Sequence, residues 1–382
     1  MPVRRGAAAA LFVLLGVLGA PARQAAAVCT AAEVMAGCGG ACTASCTASA
    51  CTISRTATVT PPTPGATCTF DFGTRDVTLQ SGGFVGGSNT FEIRAHKLTL
   101  NTGGRLTAAG GNSAPGGVII LTLGTGGFVV NSGADPVSVV GVPGGSINVN
   151  SDGDVTISKA ITAEGGTSTT AGGSIGITAG RRAPDASLVA SGNITLLGGT
   201  SGGLSAAAIT SGSGLGGNIS LTAYGASGSG KIDLENALDV RGGTNGGGSI
   251  SIDSDGDTIL GQSPKAIFLD ADGFGDAGSG GSIDVLAGGK IDGSAGKTGP
   301  ISALGHSAAI TGDPGGAGGA ITLEAENGVV NIGGASAGGT LSADGAGGSC
   351  GGSVSITQDA PDTAAVTIAV PVTVTGPGTS GS

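Results

Sequence analysis

Eight short boxes of alternating aliphatic and small polar residues recur along the chain, each opening on a glycine pair. They are GGVIILTL (116–123), GGSINVN (144–150), GGSIGIT (172–178), GGNISLT (216–222), GGSISID (247–253), GGSIDVL (280–286), GGAITLE (318–324) and GGSVSIT (351–357). Successive boxes start 28, 28, 44, 31, 33, 38 and 33 residues apart. Alternation with period two is the signature of a strand with one buried face, so each box predicts a strand. Two more alternating segments follow within a period: DVTIS (154–158) and ITAEGG (161–166), KIDLE (231–235) and LDVRGG (238–243), VVNIGG (329–334) and LSADG (341–345). Ser151-Asp152-Gly153, Ser254-Asp255-Gly256 and Glu326-Asn327-Gly328 separate the first and second strands, and they read as turns in which Gly or Asn takes positive φ. The same grammar reaches back through FEIRA (91–95), KLTLNT (97–102) and RLTAAGG (105–111) to FDFG (70–73) and DVTLQ (76–80).

Three strands per period of about thirty residues predict an all-β parallel β-helix, or β-solenoid, of about ten coils. Stacking at strand spacing gives a rod ~48 Å long. Ile147, Val149, Val155, Ile157, Ile161 and Ala163 of one coil are expected to point inward and stack on their counterparts. Each buried aliphatic contributes ~1.5–3 kcal/mol, which offsets chain ordering because neighbouring coils share the interface. A β-propeller, the rival fold, calls for four strands and aromatic signatures per blade, and the repeats show neither.

Composition supports this reading. The 80 Gly and 15 Pro of 382 residues would fit a low-complexity chain, but 39% hydrophobic residues argue for a packed one, and paired glycines exclude collagen. Residues 1–27 read as a secretory signal, with Arg4 and Arg5, an apolar run over 7–20 and small residues before a cleavage site ahead of Val28. The remainder carries 13 basic and 26 acidic residues, a net charge of −13. With no basic patch, nucleic acid is not an expected partner. No segment is long and apolar enough to predict a membrane span.

Cys29, Cys38, Cys42, Cys46, Cys51 and Cys68 lie within forty residues, a cluster that in an exported chain predicts disulfides with fifteen open pairings. A zinc site is the rival, but the C-x3-C spacings have no neighbouring His. Residues 28–67 are therefore expected to form a Cys-rich N-terminal cap, 68–376 the solenoid and 377–382 a flexible tail. Cys350, left over, is read as a small buried residue, with an intermolecular bridge as the open alternative.

Taken together, GGSIxI, DVTI and ITAxGG resemble the Gly-rich β-helix repeats of filamentous-haemagglutinin-type bacterial surface proteins. That resemblance covers about residues 68–376 and implies an exported structural or adhesive module, whereas a two-partner secretion domain and an autotransporter barrel are not recognisable.

Candidate chemistry is sparse. His96 and His306 are far apart in the chain, Gly172-x-Ser174-x-Gly176 lies on a predicted strand, and Gly212, Gly214 and Gly217 match G-x-G-x-x-G with no helix following. Asp253, Asp255, Asp257, Asp270, Asp272, Asp276 and Asp284 could bring carboxylates together on one face, which makes an extracellular polysaccharide lyase or hydrolase the alternative function. Against it stands the lack of aromatic platforms, Tyr224 being the single tyrosine and Trp absent. Asp152-Gly153-Asp154, Asp255-Gly256-Asp257 and Asp270-Ala271-Asp272-Gly273 offer oxygens to Ca2+, giving a calcium-stabilised matrix protein as the second alternative; no other cofactor is expected.

The sequence thus predicts a secreted, cell-surface or periplasmic non-catalytic module with no catalytic residue assigned. Its expected partners are surface glycans or proteins, with self-association through the solenoid ends. The long 172–216 interval, with Arg181-Arg182 and the 198–217 stretch, is the predicted protruding loop.

Overall fold

The computed structural model describes residues 27–29 and 44–376, except 60–64, 132, 199–202, 227, 262–268, 294–298, 308–314, 334–338 and 360–364. Among them the chain winds through ten full coils, each adding one strand to each of three parallel walls. The first wall runs from Thr67–Asp71 to Ser353–Gln358, the second from Asp76–Leu79 to Val366–Ile368, and the third from Gly83–Val85 to Val372–Thr373.

Register is kept residue for residue. Ile147 pairs with Ile175, Ile175 with Ile219, Ile219 with Ile250, and Ile250 with Ile283. Because side chains alternate across the wall, this register puts the aliphatics of every coil in the same interior columns. Ile147, Val149, Val155, Ile157, Ile161 and Ala163 are all buried, as the alternation predicts. The core is one continuous cluster from Cys51 to Val370.

Two corners are crossed without a turn. Thr90–Leu100 and Val118–Val130 are single strands that serve the first and then the second wall, with a register irregularity between Leu123 and Gly127. The boxes expected at 91–95 and 97–102 are therefore one bent strand. Lacking an Asp-Gly at this corner, the chain bends without leaving the sheet.

Glycine pairs mark the corner between third and first walls, where coils touch backbone to backbone. The amide of Gly248 donates to the carbonyl of Val240 (2.8 Å), and a Cβ on Gly248 would strike the Gly217 carbonyl of the preceding coil. At the first corner the expected reason for glycine is corrected. Neither Gly153 nor Gly256 has positive φ; instead a Cβ on either would collide with the carbonyl of Thr125 or Ser229 one coil away.

The cysteine-rich segment lies on the first full coil. Ala27–Cys29 pairs with Cys68–Phe70, Ala50–Ile53 with Asp76–Leu79, and Ala57–Thr58 with Phe84–Val85, all parallel. Ala44–Cys46 folds back antiparallel on Ala50–Ile53, and a Cys46–Cys51 disulfide closes that hairpin. Cys68 is disulfide-bonded too. The side chain of Cys29, and Cys38 and Cys42 altogether, lie outside the described residues, as does the expected tail. Cys350 is an exposed free thiol rather than the buried residue expected: the GGSCGG corner has no interior position for it.

Candidate functional site

One coil departs from the pattern. After its first-wall residues, the strand Ser174–Arg182 runs on past the corner and pairs antiparallel with Leu188–Ser191, so a hairpin stands off the rod. Leu188 and Val189 near its tip are 38% and 51% exposed. The other half of the predicted protruding interval behaves differently. Leu204–Ser205 is an ordinary third-wall strand, Ala206, Ala207 and Ala208 are buried, and the Ser213 amide donates to the Ser168 carbonyl, 2.7 Å away. Gly212 and Gly214 serve there as packing glycines, not as a phosphate loop.

The hairpin is fastened at both sides. Arg181 pairs with Asp152 (2.9 Å), while Arg182 pairs with Asp255 and places its guanidinium carbon 5.3 Å from the Tyr224 ring centre. Two grooves flank these arginines. One, of about 370 Å³, is lined by Thr122, Asn150, Asp152, Thr178, Arg181 and Tyr224, among others. The other, of about 240 Å³, is lined by Arg182, Asp253, Asp255, Glu326 and Asn327, among others. Burial, reinforced by Asp255 and then by Glu326 and Asp284, raises the Asp253 carboxyl above the ordinary aspartate range despite Arg182.

The acids singled out in the sequence separate onto different walls. Asp253 and Asp284 sit on the outer side of the first wall, with Asp255 and Asp257 at its corner. Asp257 lies 3.5 Å from Lys231 and accepts the Lys290 amide (3.2 Å). Asp270 and Asp272 belong to the third wall, so no cleft joins Asp253, Asp270 and Asp284. Asp276 follows that third-wall strand in the chain, in the turn before the next first-wall strand.

On the third wall Asp270 stands between Asp239 and Ser302 in register. Arg241 holds Asp239 with bonds of 2.9 and 2.6 Å and approaches Asp270 at 3.4 Å. Burial, and then the charge of Asp272, push Asp270 up to about 7. Burial raises Asp272 as well, even though the Leu304 amide and the Ser302 hydroxyl donate to it. Phe274 and His306 stack beside this group, ring centres 5.6 Å apart.

A third group was invisible in the sequence. Asp76, His96 and Thr125, from successive coils, form a chain in which Oδ1 meets Nδ1 at 2.7 Å and Nε2 meets Oγ1 at 3.3 Å. The separations of 20 and 29 residues make sense only once the coil register is known. This is the connectivity of a hydroxyl, imidazole and carboxylate triad. Its His96 and Asp76 side chains are 42% and 49% exposed and Thr125 is exposed, so solvent reaches every member and no wall shields an attacking hydroxyl. His306 lies six coils away from it. Ser174 points its hydroxyl at Ser146 (2.9 Å) within the first wall, which makes its G-x-S-x-G match part of a strand.

The Asp-Gly-Asp turns have protein partners. Asp152 and Asp255 hold the hairpin arginines, and Asp154 accepts the backbone and side-chain amides of Asn193 (2.8 and 3.1 Å). Among the described residues no three His, Cys, Asp or Glu side chains are placed to hold a metal ion. Nor, among them, is any helix long and apolar enough to cross a membrane.

The fold and these surfaces define a parallel β-solenoid with one decorated corner. No family model, curated protein or solved structure matches the chain.

Proposed function

We propose that the protein is an exported, non-catalytic β-solenoid of the bacterial surface or extracellular matrix that recognises its partner through the hairpin and its flanking grooves. The observation that carries this reading is the hairpin at 180–191: a ten-coil scaffold is regular in register, and its single antiparallel excursion from a wall, among the described residues of those coils, is tied down by both arginines and exposes apolar side chains. Rigid scaffolds that carry one divergent loop place recognition there. The resemblance of the repeats to filamentous-haemagglutinin-type proteins and the signal-like residues 1–27 support export. The calcium-stabilised alternative loses support because protein groups already occupy the Asp-Gly-Asp carboxylates.

Fractionation of the producing cells tests the reading. Protein released from intact cells by external protease, or held in extracellular matrix, is the expected result; protein confined to the cytoplasm would overturn it. The polysaccharide-active alternative has one observation in its favour, the raised carboxyl of Asp253 in a groove with Asp255 and Glu326. Release of reducing ends or unsaturated products from acidic polysaccharides, lost in Asp253→Asn, would establish that alternative instead.

A further inference from the structure

The larger groove has a chemistry of its own. Thr122, Asn150 and Thr178 occupy one outward column of the first wall, paired rung to rung with Thr222 beyond them. They offer one uncharged polar group per coil, at a spacing of ~4.8 Å; the Thr122 hydroxyl donates to Glu92 (3.0 Å), so it meets a ligand as an acceptor. Leu123, 4% exposed, and Tyr224, the protein's single tyrosine, supply the apolar part of the lining, with the Arg182 guanidinium covering one face of the Tyr224 ring at 5.3 Å. The charges at the rim are already matched, Arg181 by Asp152 at 2.9 Å and Arg182 by Asp255.

The groove's charges are paired with one another, so an ionic ligand of either sign meets no unmatched counter-charge there. An apolar patch ringed by separate hydroxyl and amide groups suits a ligand with alternating C–H and O–H surface. The regular column favours a polymer laid along the rod axis over a compact molecule, since each rung repeats the same contact. We propose that this groove is a subsite for a neutral, linear polysaccharide, with the ring surface of Tyr224 that Arg182 leaves uncovered as its apolar contact and Thr122, Asn150 and Thr178 as partners for the sugar hydroxyls. The proposal rests on the recognition reading above and names the class of its partner.

Affinity electrophoresis of the purified protein through gels containing a neutral β-glucan, a xylan, a galactomannan or polygalacturonate tests it. Retardation by at least one neutral polymer, and none by polygalacturonate, is expected. Tyr224→Ala should weaken that retardation at least tenfold and Asn150→Ala about threefold, with Lys159→Ala at a distant corner unchanged. Because Tyr224 is half-buried, an unchanged circular dichroism spectrum is required of its variant; Asn150 is exposed and gives the independent reading. No retardation by any neutral polymer, or equal retardation of wild type and both groove variants, would overturn the subsite. Retention of labelled protein on the producing cells separates the two claims. Retention that neither soluble glycan nor Tyr224→Ala reduces defeats the subsite and leaves surface recognition standing, whereas no retention despite groove-dependent retardation in the gel defeats surface recognition and leaves the subsite.

Discussion

The middle of the rod and its last described coil are written in the same repeat, yet their residues have different fates. Ile250 and Ile252 are buried at 1% exposure, while their column mates Val354 and Ile356 are only partly buried and Val366, Val372 and Val374 are 43–46% exposed. At the other end, Phe70, Phe84 and Phe91 pack together, with Phe70 and Phe84 ring centres 4.6 Å apart, beneath the strands of the cysteine-rich segment. Inward-facing pattern is thus a property of the coil, whereas burial belongs to the stack: an aliphatic column stabilises only where it has a neighbour on both sides.

That contrast can be broken by substitution. Ile252→Ala should cost ~2–5 kcal/mol in urea unfolding, the usual range for truncation in a packed core, and Ile356→Ala less than half as much. Equal losses would contradict the account. Glycine sharpens the same contrast. A Cβ on Gly247 would collide with the Ala271 carbonyl, whereas the nearest atom to one on Gly351 is 3.1 Å away. Gly247→Ala should therefore cost ~1–3 kcal/mol and Gly351→Ala under ~1 kcal/mol.

Acids on the third wall repeat the comparison with opposite signs. Asp270, raised to about 7 by burial and then by Asp272, holds its proton more tightly folded than unfolded. It therefore lowers stability progressively as pH rises from about 4, the ordinary aspartate value, to about 7. Asp344 of a later coil is also pulled upward by burial, but the Thr375 amide and the Thr373 and Thr375 hydroxyls outweigh this and lower it. It contributes stability above the unfolded value that is lost as pH falls through the folded one. Melting curves across pH 4–8 should fall less steeply in Asp270→Asn, and Asp344→Asn should lower the melting temperature slightly at pH 7. A slope unchanged in Asp270→Asn would refute the assignment. The smallest effect belongs to Arg181→Ala: its exposed pair with Asp152 contributes no more than ~1 kcal/mol, so a larger loss would mean that the hairpin supports the wall.

The walls were legible because alternation and the glycine pairs report burial and corner contact locally. Ile147 through Ala163 could be placed inward from six letters of pattern, and the cysteine-rich segment could be placed over the first coil. Three features were not legible. The bend at Ala95-His96-Lys97 breaks the phase of alternation between Ala95 and Leu98 without breaking the strand, so one strand reads as two. The reason for Gly153 and Gly256 lies in a backbone one coil away, not in their own φ. The Asp76, His96 and Thr125 chain, like the split of the acid set between two walls, depends on register, and insertions that vary the period from 28 to 44 residues conceal register.

The central claim is that these uneven repeats become evenly stacked rungs. Thr178, Thr222, Asp253, Leu286, Glu324 and Thr357 form one outward column, five steps from first to last. Spin labels introduced as unnatural amino acids at Thr178 and Thr357 should give a backbone separation of ~24 Å in pulsed dipolar spectroscopy, and a Thr178 and Asp253 pair ~10 Å. Distances that rise by one strand spacing per coil, whatever the number of intervening residues, are the predicted result; distances that follow chain separation, or a broad distribution, would contradict the solenoid and the recognition surface built on it.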